Sequence, residues 1–270
     1  MTHSTKIIDT FPFNNELDLL ECRLVELYDS VDKFVIVEAD IDHQGNQKPL
    51  YYQENKSRYS SFSDKIVHVK ATSLPTFEED GNPWSREWAQ REDISIGLSE
   101  IGVCDDDIVL QSDVDEIPTA SLVKNINPTD IWVFLQRLHT FAIDWEHPAK
   151  WQGTVVSTIG MLNRYTHMPF KHMRDARFNA SSPEGLYNGG HHFSWLGGNQ
   201  AQRKKINSFC HLEILGDYTF QERLKNDDFY NLGIHVDGVQ QKPCEIDETY
   251  PKWILEGNAP KEWYRPRTIL

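Results

Sequence analysis

Cysteine is scarce in this chain of 270 residues, and the four present, Cys22, Cys104, Cys210 and Cys244, stand far apart with no C-x-x-C pair. That spacing excludes a disulfide framework and a zinc ribbon, and it fits free thiols in a reducing compartment. No apolar run reaches about 18 residues, so no helical membrane span is expected. The opening residues, Met1 to Lys6, lack the charged-then-apolar layout of a secretion signal and lead straight into a strand-like run. A cytoplasmic protein is therefore expected. Basic residues are also few, 27 Lys and Arg against 41 Asp and Glu, for a formal net charge of −14. Without a basic stripe to neutralise phosphates, a nucleic-acid partner is excluded. Internal repeats and low-complexity segments are missing as well.

What remains is ordinary globular composition, 39 % hydrophobic and 25 % charged. The length fits one domain over residues 1–270. The run KIIDTFPF at 6–13 reads as a strand stopped by proline. Leu17, Leu20, Leu24 and Leu27 recur at helical spacing over 16–28. KFVIVEA at 33–39 is apolar almost throughout, as a strand buried on both faces should be. Strand, helix and strand in succession open an α/β fold. Further strands are expected at 66–69, 130–143 and 153–159, and helices at 84–101, 121–127, 201–209 and 220–233. Residues 163–198 lack periodicity and read as loops around a site. The proline-bearing tail, 243–270, is expected to wrap the surface.

The stretch with the most chemistry is Ile108-Val-Leu-Gln-Ser-Asp-Val-Asp-Glu-Ile-Pro118. If the strand continues through it, Asp113 and Asp115 point to one side, because strand side chains alternate. Two carboxylates at a strand's carboxyl end make a hard-oxygen site suited to Mn²⁺ or Mg²⁺, which completes its shell with water and a substrate's phosphates. Glu116 is a candidate supporting partner. Arg91 lies on the preceding helix, where its fork suits a pyrophosphate or a uracil carbonyl, or else pairs with Glu87 one turn earlier. Eight tryptophans and ten tyrosines favour carbohydrate contact, since aromatic faces match the apolar faces of pyranose rings. Trp132 and Trp253 read as core. Trp145, Trp151 and Trp195 read as loop-borne, and so as candidates to bind an acceptor sugar.

Taken together, several of these stretches resemble glycosyltransferase family 17. They are Asp9-Thr-Phe-Pro-Phe-Asn-Asn-Glu-Leu-Asp-Leu-Leu20, Val37-Glu-Ala39, Asn82-Pro-Trp84 leading to Gln90-Arg91, and Ser112-Asp-Val-Asp-Glu-Ile-Pro118. Gly190-His-His-Phe-Ser-Trp195 is similar to a later stretch of that family, and Asp237-Gly-Val-Gln-Gln241 with Tyr250-Pro-Lys252 to its end. The likeness runs in order from about residue 6 to 256. It implies a GT-A-like fold for nucleotide-diphospho-sugars, a mixed central sheet flanked by helices. Residues 1–118 would form the nucleotide-binding half, 119–242 the acceptor side and 243–270 the C-terminal wrap. It also implies a metal-dependent inverting transfer, with UDP-GlcNAc the expected donor and a glycan or other hydroxyl the acceptor. His191 departs from the family, which usually has tryptophan there. The membrane anchor and stem of the Golgi members are not seen, so a soluble prokaryotic or viral relative is expected. The bisecting acceptor of the family's N-glycan enzymes is not carried over.

By the same resemblance, Asp115 would hold the metal directly, with Asp113 on the donor's ribose or a metal-bound water. His192 would be the third metal ligand, brought in on a flexible glycine-rich loop. Thr10, Phe11 and Glu38 lie at strand ends where the fold holds a nucleoside, and Glu38 could accept from a ribose hydroxyl. Inversion needs a base within reach of the acceptor hydroxyl. Asp144, Glu184, Glu213 and Asp217 lie downstream. Glu213, in Phe209-Cys-His-Leu-Glu213, is preferred, with Asp144 beside Trp145 the second choice. Two other functions fit parts of the pattern. One is a phosphohydrolase with Asp113 as nucleophile and Asp115 as acid. The other is a sugar-binding module built on the tryptophans.

Overall fold

The structure is a computed structural model and describes residues 4–72, 74–75, 82–164, 169–206 and 216–266. Ten strands are seen among these: β1 Ile7–Phe13, β2 Lys33–Glu38, β3 Ile66–Lys70, β4 Ile108–Gln111, β5 Glu116–Pro118, β6 Trp132–Thr140, β7 Trp145–Glu146, β8 Trp151–Thr158, β9 Gly190–Ser194 and β10 Lys242–Pro243. Eight of them form one mixed sheet in the order β3-β2-β1-β4-β8-β6-β9-β5, and β7 pairs with β10. The first four are parallel, and β8 pairs antiparallel to both β4 and β6.

The β2 run shows why the sequence is apolar without a break. Phe34 and Ile36 point into one core with Leu20, Leu24 and Leu27 of helix α1, Leu17–Leu27. Val35 and Val37 point into a second core with Ile94 and Leu98 of a helix on the other face. Alternation thus serves two layers, and each such side chain contributes roughly 1.5–3 kcal/mol by leaving water. The helix expected over 84–101 is two helices, α2 Pro83–Glu92 and α3 Ile94–Ile101. Asn82 caps the first by accepting from the Trp84 amide, with proline following at the first turn. The break falls at Asp93, whose carboxylate accepts from the Thr72 amide instead.

The order 3-2-1-4 puts the point where the chain changes direction along the sheet between β1 and β4, and in such sheets ligands collect beyond the strands' carboxyl ends there. Only residues 112–115 separate β4 from β5, yet β5 is paired to β9 at the far edge of the sheet. The sheet curls to allow this: the Thr154 hydroxyl of β8 donates to the Glu116 carbonyl of β5 at 3.1 Å.

The described residues of 163–198 are not a set of loops. They hold helix α4, Pro169–Ala176, and strand β9, which lies between β6 and β5. Helices α5, Gly198–Ile206, α6, Tyr218–Lys225, and α7, Asp228–Leu232, follow. The tail is more than a surface wrap: Tyr250, Trp253, Ile254 and Trp263 form a buried cluster with Leu19, Cys22, Ile117 and Phe193. Trp253 is core as expected, whereas Trp132 is only partly buried. Among the described residues, no helix is long and apolar enough to cross a membrane.

Candidate functional site

The Asp113-Val-Asp115 stretch is not strand. β4 stops at Gln111 and the two aspartates occupy the turn into β5. The Asp113 amide donates to the Glu116 carboxylate at 2.9 Å, and the Glu116 amide donates back to the Asp113 carbonyl at 3.0 Å. This reciprocal pair closes the turn, so the same-side arrangement expected of a strand does not hold. Each aspartate has its own partners.

A buried arginine fixes the turn from beneath. Arg23 of α1 is fully buried and grips the Asp9 carboxylate through Nε at 2.7 Å and Nη2 at 2.6 Å. Its remaining donors reach Ser112 Oγ at 2.6 Å and the carbonyls of Asp113 and Glu116 at 3.0 and 2.8 Å. An arginine fork is the side chain that can serve a carboxylate and three further acceptors at once.

Asp113 faces a cluster of arginines. Its Oδ1 accepts from Arg91 Nη2 at 2.6 Å and its Oδ2 from Arg174 Nη2 of α4 at 2.7 Å. Burial works to raise its pKa, but Arg174 and Arg91 outweigh it and hold the carboxyl well below the usual range. Arg91 also pairs with Glu87 at 2.6 Å, so the i,i+4 pairing weighed for it is realised, on a buried face and not a solvated one. Arg174 and the Trp151 indole both donate to Glu116 Oε1, at 2.7 and 2.6 Å. Arg177 lies over the Trp151 ring at 5.0 Å, with Nη1 3.5 Å from Glu116 Oε1. Its Nε and Nη1 are buried without hydrogen-bond partners, as is Nη1 of Arg91.

Asp115 faces the other way, towards β9. Strand pairing sets His192 opposite Glu116, and the Phe193 amide donates to the Asp115 carbonyl at 2.8 Å. His192 Nε2 then stands 3.4 Å from Asp115 Oδ1, and Lys205 Nζ of α5 stands 3.7 Å from Oδ2. Burial raises the Asp115 pKa, but His192 and then Lys205 more than offset it, leaving the carboxyl below its ordinary value. Asp115 Oδ1 and His192 Nδ1 are both buried with no hydrogen-bond partner. The Trp151 ring lies 4.6 Å from that of His192.

The glycines before His191 do not supply flexibility. Gly190 sits at φ +125°, and a Cβ there would lie 2.2 Å from the Ile117 carbonyl oxygen. They let β9 press against β5, which is what brings His192 to Asp115. His191, on the opposite face, hydrogen-bonds His139 at 3.0 Å and the Thr249 carbonyl at 3.0 Å. Burial pushes both imidazoles down, His139 to about 3, so this pair is neutral and ties β6 and β9 to the tail.

The other expected residues are placed as follows. Thr10 donates to the Leu110 carbonyl at 2.7 Å, and Phe11 is core beneath the Arg23 guanidinium. Glu38 is fully buried and accepts from the Tyr52 amide at 2.8 Å, with His68 Nε2 at 3.1 Å. Asp144 accepts from the Arg265 amide and Nε at 2.7 and 3.1 Å, and none of these bonds reaches the turn. Trp145 lies near the Arg265 guanidinium, 5.5 Å away. Trp195 carries Lys205 Nζ over its ring at 5.4 Å, which links it to Asp115. Glu213 lies outside the described residues.

Four basic residues of the site, Arg23, Arg174, Arg177 and Lys205, are not singled out by the sequence reading. Arg23 carries the one readable signal, a charge on an apolar helix face downstream of an aspartate in an apolar strand.

A divalent cation fits Asp115 and His192, which offer a carboxylate oxygen without a partner and a neighbouring imidazole, a donor set suited to Mn²⁺. It fits Asp113 less well, since both oxygens already serve arginines.

The switch-point turn thus carries a carboxylate oxygen beside an imidazole on one side and buried arginine donors without partners on the other. The chain belongs to glycosyltransferase family 17, whose model matches residues 1–236. It is similar to the β-1,4-mannosyl-glycoprotein 4-β-N-acetylglucosaminyltransferase of Rattus norvegicus, 27 % identical over 170 residues, 58 % of this chain and 30 % of that protein. The chain thus matches less than a third of that relative's length. Among solved structures it is similar to 4-diphosphocytidyl-2C-methyl-D-erythritol synthase, with TM-score 0.38, 13 % identity and coverage of 82 % of this chain and all of that one. A galactosyltransferase, LgtC, gives TM-score 0.34, 13 % identity and coverage of 69 % and 72 %.

Proposed function

We propose that this chain is a metal-dependent, inverting glycosyltransferase of GT-A type. It would move a sugar, N-acetylglucosamine from UDP-GlcNAc first among the candidates, onto a hydroxyl of a glycan acceptor. The observation that carries this is the set of buried atoms without partners around one turn: Asp115 Oδ1, with His192 Nε2 3.4 Å away, on one side, and Arg177 Nε and Nη1 and Arg91 Nη1 on the other. Buried polar atoms left unpaired are costly unless a ligand satisfies them, and a cation with a diphosphate satisfies both sets. Family membership supports sugar transfer over phosphate-ester hydrolysis or simple glycan binding.

In this scheme Arg177 and Arg91 donate to the diphosphate oxygens. Asp113 and Glu116 hold Arg91 and Arg174 in place. Asp115 and His192 hold Mn²⁺ or Mg²⁺, which when bound supplies Lewis-acid neutralisation of the diphosphate. The acceptor oxygen bonds to the anomeric carbon on the face opposite UDP, and its proton passes to a carboxylate. The bond from the anomeric carbon to the diphosphate oxygen breaks, and its electron pair leaves with UDP. Glu213 is the proposed base. Asp144, engaged by Arg265, is the second choice. Trp195 is the proposed stacking surface for an acceptor ring, while Trp151 has its indole N–H committed to Glu116.

The test is thermal unfolding with UDP. At a ligand concentration 100 times Kd the gain is about 2.7 kcal/mol, and roughly 2–4 °C per kcal/mol gives a rise of about 5–10 °C. That rise should occur with Mn²⁺ and vanish with EDTA. The absence of a metal-dependent shift with any nucleoside diphosphate sinks the proposal. Hydrolysis of a panel of UDP- and GDP-sugars with Mn²⁺ then ranks the donors.

A further inference from the structure

A second group of metal-type ligands lies outside the Asp115 niche and shares no residue with it. It consists of His147, just after β7, and of His235 and Asp237 in a turn after α7. One ligand atom from each, two imidazole nitrogens and a carboxylate oxygen, lie within 4.8 Å of one another.

Each member is held before any ligand arrives. The His147 amide donates to the Leu138 carbonyl at 2.9 Å, which fixes it against β6. Its Nδ1 faces the backbone of Ala149, the amide nitrogen at 3.1 Å and the carbonyl oxygen at 3.4 Å. His235 and Asp237 sit in a turn closed by the Ile234–Gln240 bridge and by the His235 amide on the Val239 carbonyl at 2.8 Å. Asp237 Oδ1 accepts from the Val239 amide at 2.9 Å and stands 2.8 Å from His235 Nδ1. Gln241 docks this turn onto the end of β6, giving and taking hydrogen bonds with the Thr140 main chain at 3.0 and 3.1 Å.

The second observation is what turns a cluster into a site. His147 is only 8 % exposed, and its Nε2 is buried without a hydrogen-bond partner. That nitrogen points at the carboxylate, 3.4 Å from Asp237 Oδ2, yet makes no hydrogen bond with it. The ring of His235 is 4.8 Å away, tilted by 58°. Ligand atoms about 2.0–2.1 Å from a tetrahedral zinc stand roughly 3.4 Å from one another. The His147–Asp237 separation already has that value, and the shorter His235–Asp237 contact is a hydrogen bond that a cation would replace. Two imidazoles and one carboxylate select a borderline transition metal over Mg²⁺ or Ca²⁺.

We propose that His147, His235 and Asp237 bind one Zn²⁺ ion, or a similar borderline divalent metal, with water completing the shell. The ion ties the turn after α7 to the end of β7. The stretch of chain between those two points includes β9, which carries His192, and α5, which carries Lys205. The bound metal is therefore a cross-link over a long stretch of chain that includes one wall of the candidate active site. The zinc site stands independently of glycosyl transfer.

The experiment uses the full chain carrying Asp115→Asn, stripped of metal with chelator and titrated with Zn²⁺ by calorimetry, with thermal unfolding read in parallel. The expected result is one Zn²⁺ per chain and a raised Tm. Adding His235→Gln or Asp237→Asn should weaken zinc binding by at least the roughly 10–100-fold that follows loss of even an outer-shell partner, and should abolish the Tm gain. His147→Gln should do the same. Because His147 is buried and that variant can fail to fold, the two more exposed ligands decide the outcome. No zinc binding by the Asp115→Asn protein, or binding that His235→Gln and Asp237→Asn leave unchanged, overturns the proposal.

Discussion

Arg23→Met is the substitution that best tests how the aspartate turn is built. Methionine matches the length and apolar stem of arginine but removes every donor. In the structure the change strands the Asp9 carboxylate at 0 % exposure and leaves Ser112 Oγ without its donor, while the carbonyls of Asp113 and Glu116 each lose one donor and keep another, the Glu116 amide and the Thr154 hydroxyl. Removing one partner of a buried ion pair costs about 3–5 kcal/mol, and Ser112 Oγ left without its donor adds about 1–3 kcal/mol where water cannot enter. Against a total stability of about 5–15 kcal/mol, the variant stands near the edge of folding. Urea unfolding followed by tryptophan fluorescence and by far-UV circular dichroism reads this directly. Adding Asp9→Asn to Arg23→Met removes the stranded charge and should recover part of the loss, so the two single costs should exceed that of the pair. Arg23→Lys should not restore stability, because one ammonium cannot serve acceptors spread across two elements. A cost below about 1 kcal/mol for Arg23→Met, far under the range for a broken buried pair, or strictly additive costs in the cycle, would refute the assignment of Arg23 as the turn's anchor.

Other outcomes follow from the same geometry. Asp115→Asn should remove the Mn²⁺ dependence of UDP binding, while Asp113→Asn should keep it and weaken UDP binding with or without metal; titration calorimetry at fixed Mn²⁺ separates the two, and swapped results reverse their roles. Arg177→Ala should leave the circular dichroism unchanged and lower UDP affinity roughly 10–100-fold, the equivalent of about 1.5–3 kcal/mol for one charge-assisted contact; an unchanged Kd removes Arg177 from the donor site. Gly190→Ala should cost about 3 kcal/mol or more through its positive φ and the clash with Ile117, seen as loss of soluble folded protein. The Asp113 carboxyl, lowered in the folded state against the outward push of burial by Arg174 and Arg91, stabilises the fold fully above its ordinary value of 3.8 and loses that contribution as pH falls through the lowered value. Acid unfolding of Asp113→Asn should therefore lack part of the wild-type slope below that pH, and an identical acid limb shows that the arginine contacts contribute nothing.

The parts of the fold legible in the sequence are those in which one periodicity has one cause. Leu20, Leu24 and Leu27 repeat because one helix face meets one core, and β2 is apolar throughout because both its faces are covered. Strand β9 is illegible for the opposite reason. Gly190, His191 and His192 are neither apolar nor alternating, and they are buried because the glycine admits a neighbouring backbone and the imidazoles find partners. Asp113-Val-Asp115 is legible as chemistry but not as geometry. Its apolar lead-in reads as a strand, and only the Glu116 side chain folding back on the Asp113 amide ends it. The arginines of the cluster come from α1, α2 and α4, brought together by the sheet's curl, and no local spacing announces such a meeting.

That convergence explains why the two aspartates part company. β4 belongs to the parallel half of the sheet and β5 to its far antiparallel edge, so the four residues between them turn through the space separating α2 and α4 from β9 and α5. A residue early in the turn meets the arginines of the first pair of elements, and one two positions later meets the imidazole and ammonium of the second. The arginine side is close to electrically balanced: Arg91, Arg174 and Arg177 face Asp113, Glu116 and Glu87. Balance of charge is not completeness of bonding, however, since Arg177 and Arg91 retain buried N–H groups with no acceptor. Packing Arg174 behind Arg177 also makes the latter's charge harder to hold, because burial first and Arg174 second lower its pKa. On the proposed function, an arriving anion would relieve both the unmet donors and the crowding of positive charge, while a cation at Asp115 and His192 would answer the remaining oxygen. Under the proposed function the turn would therefore favour a ligand that carries both at once, a metal–diphosphate, over either ion alone.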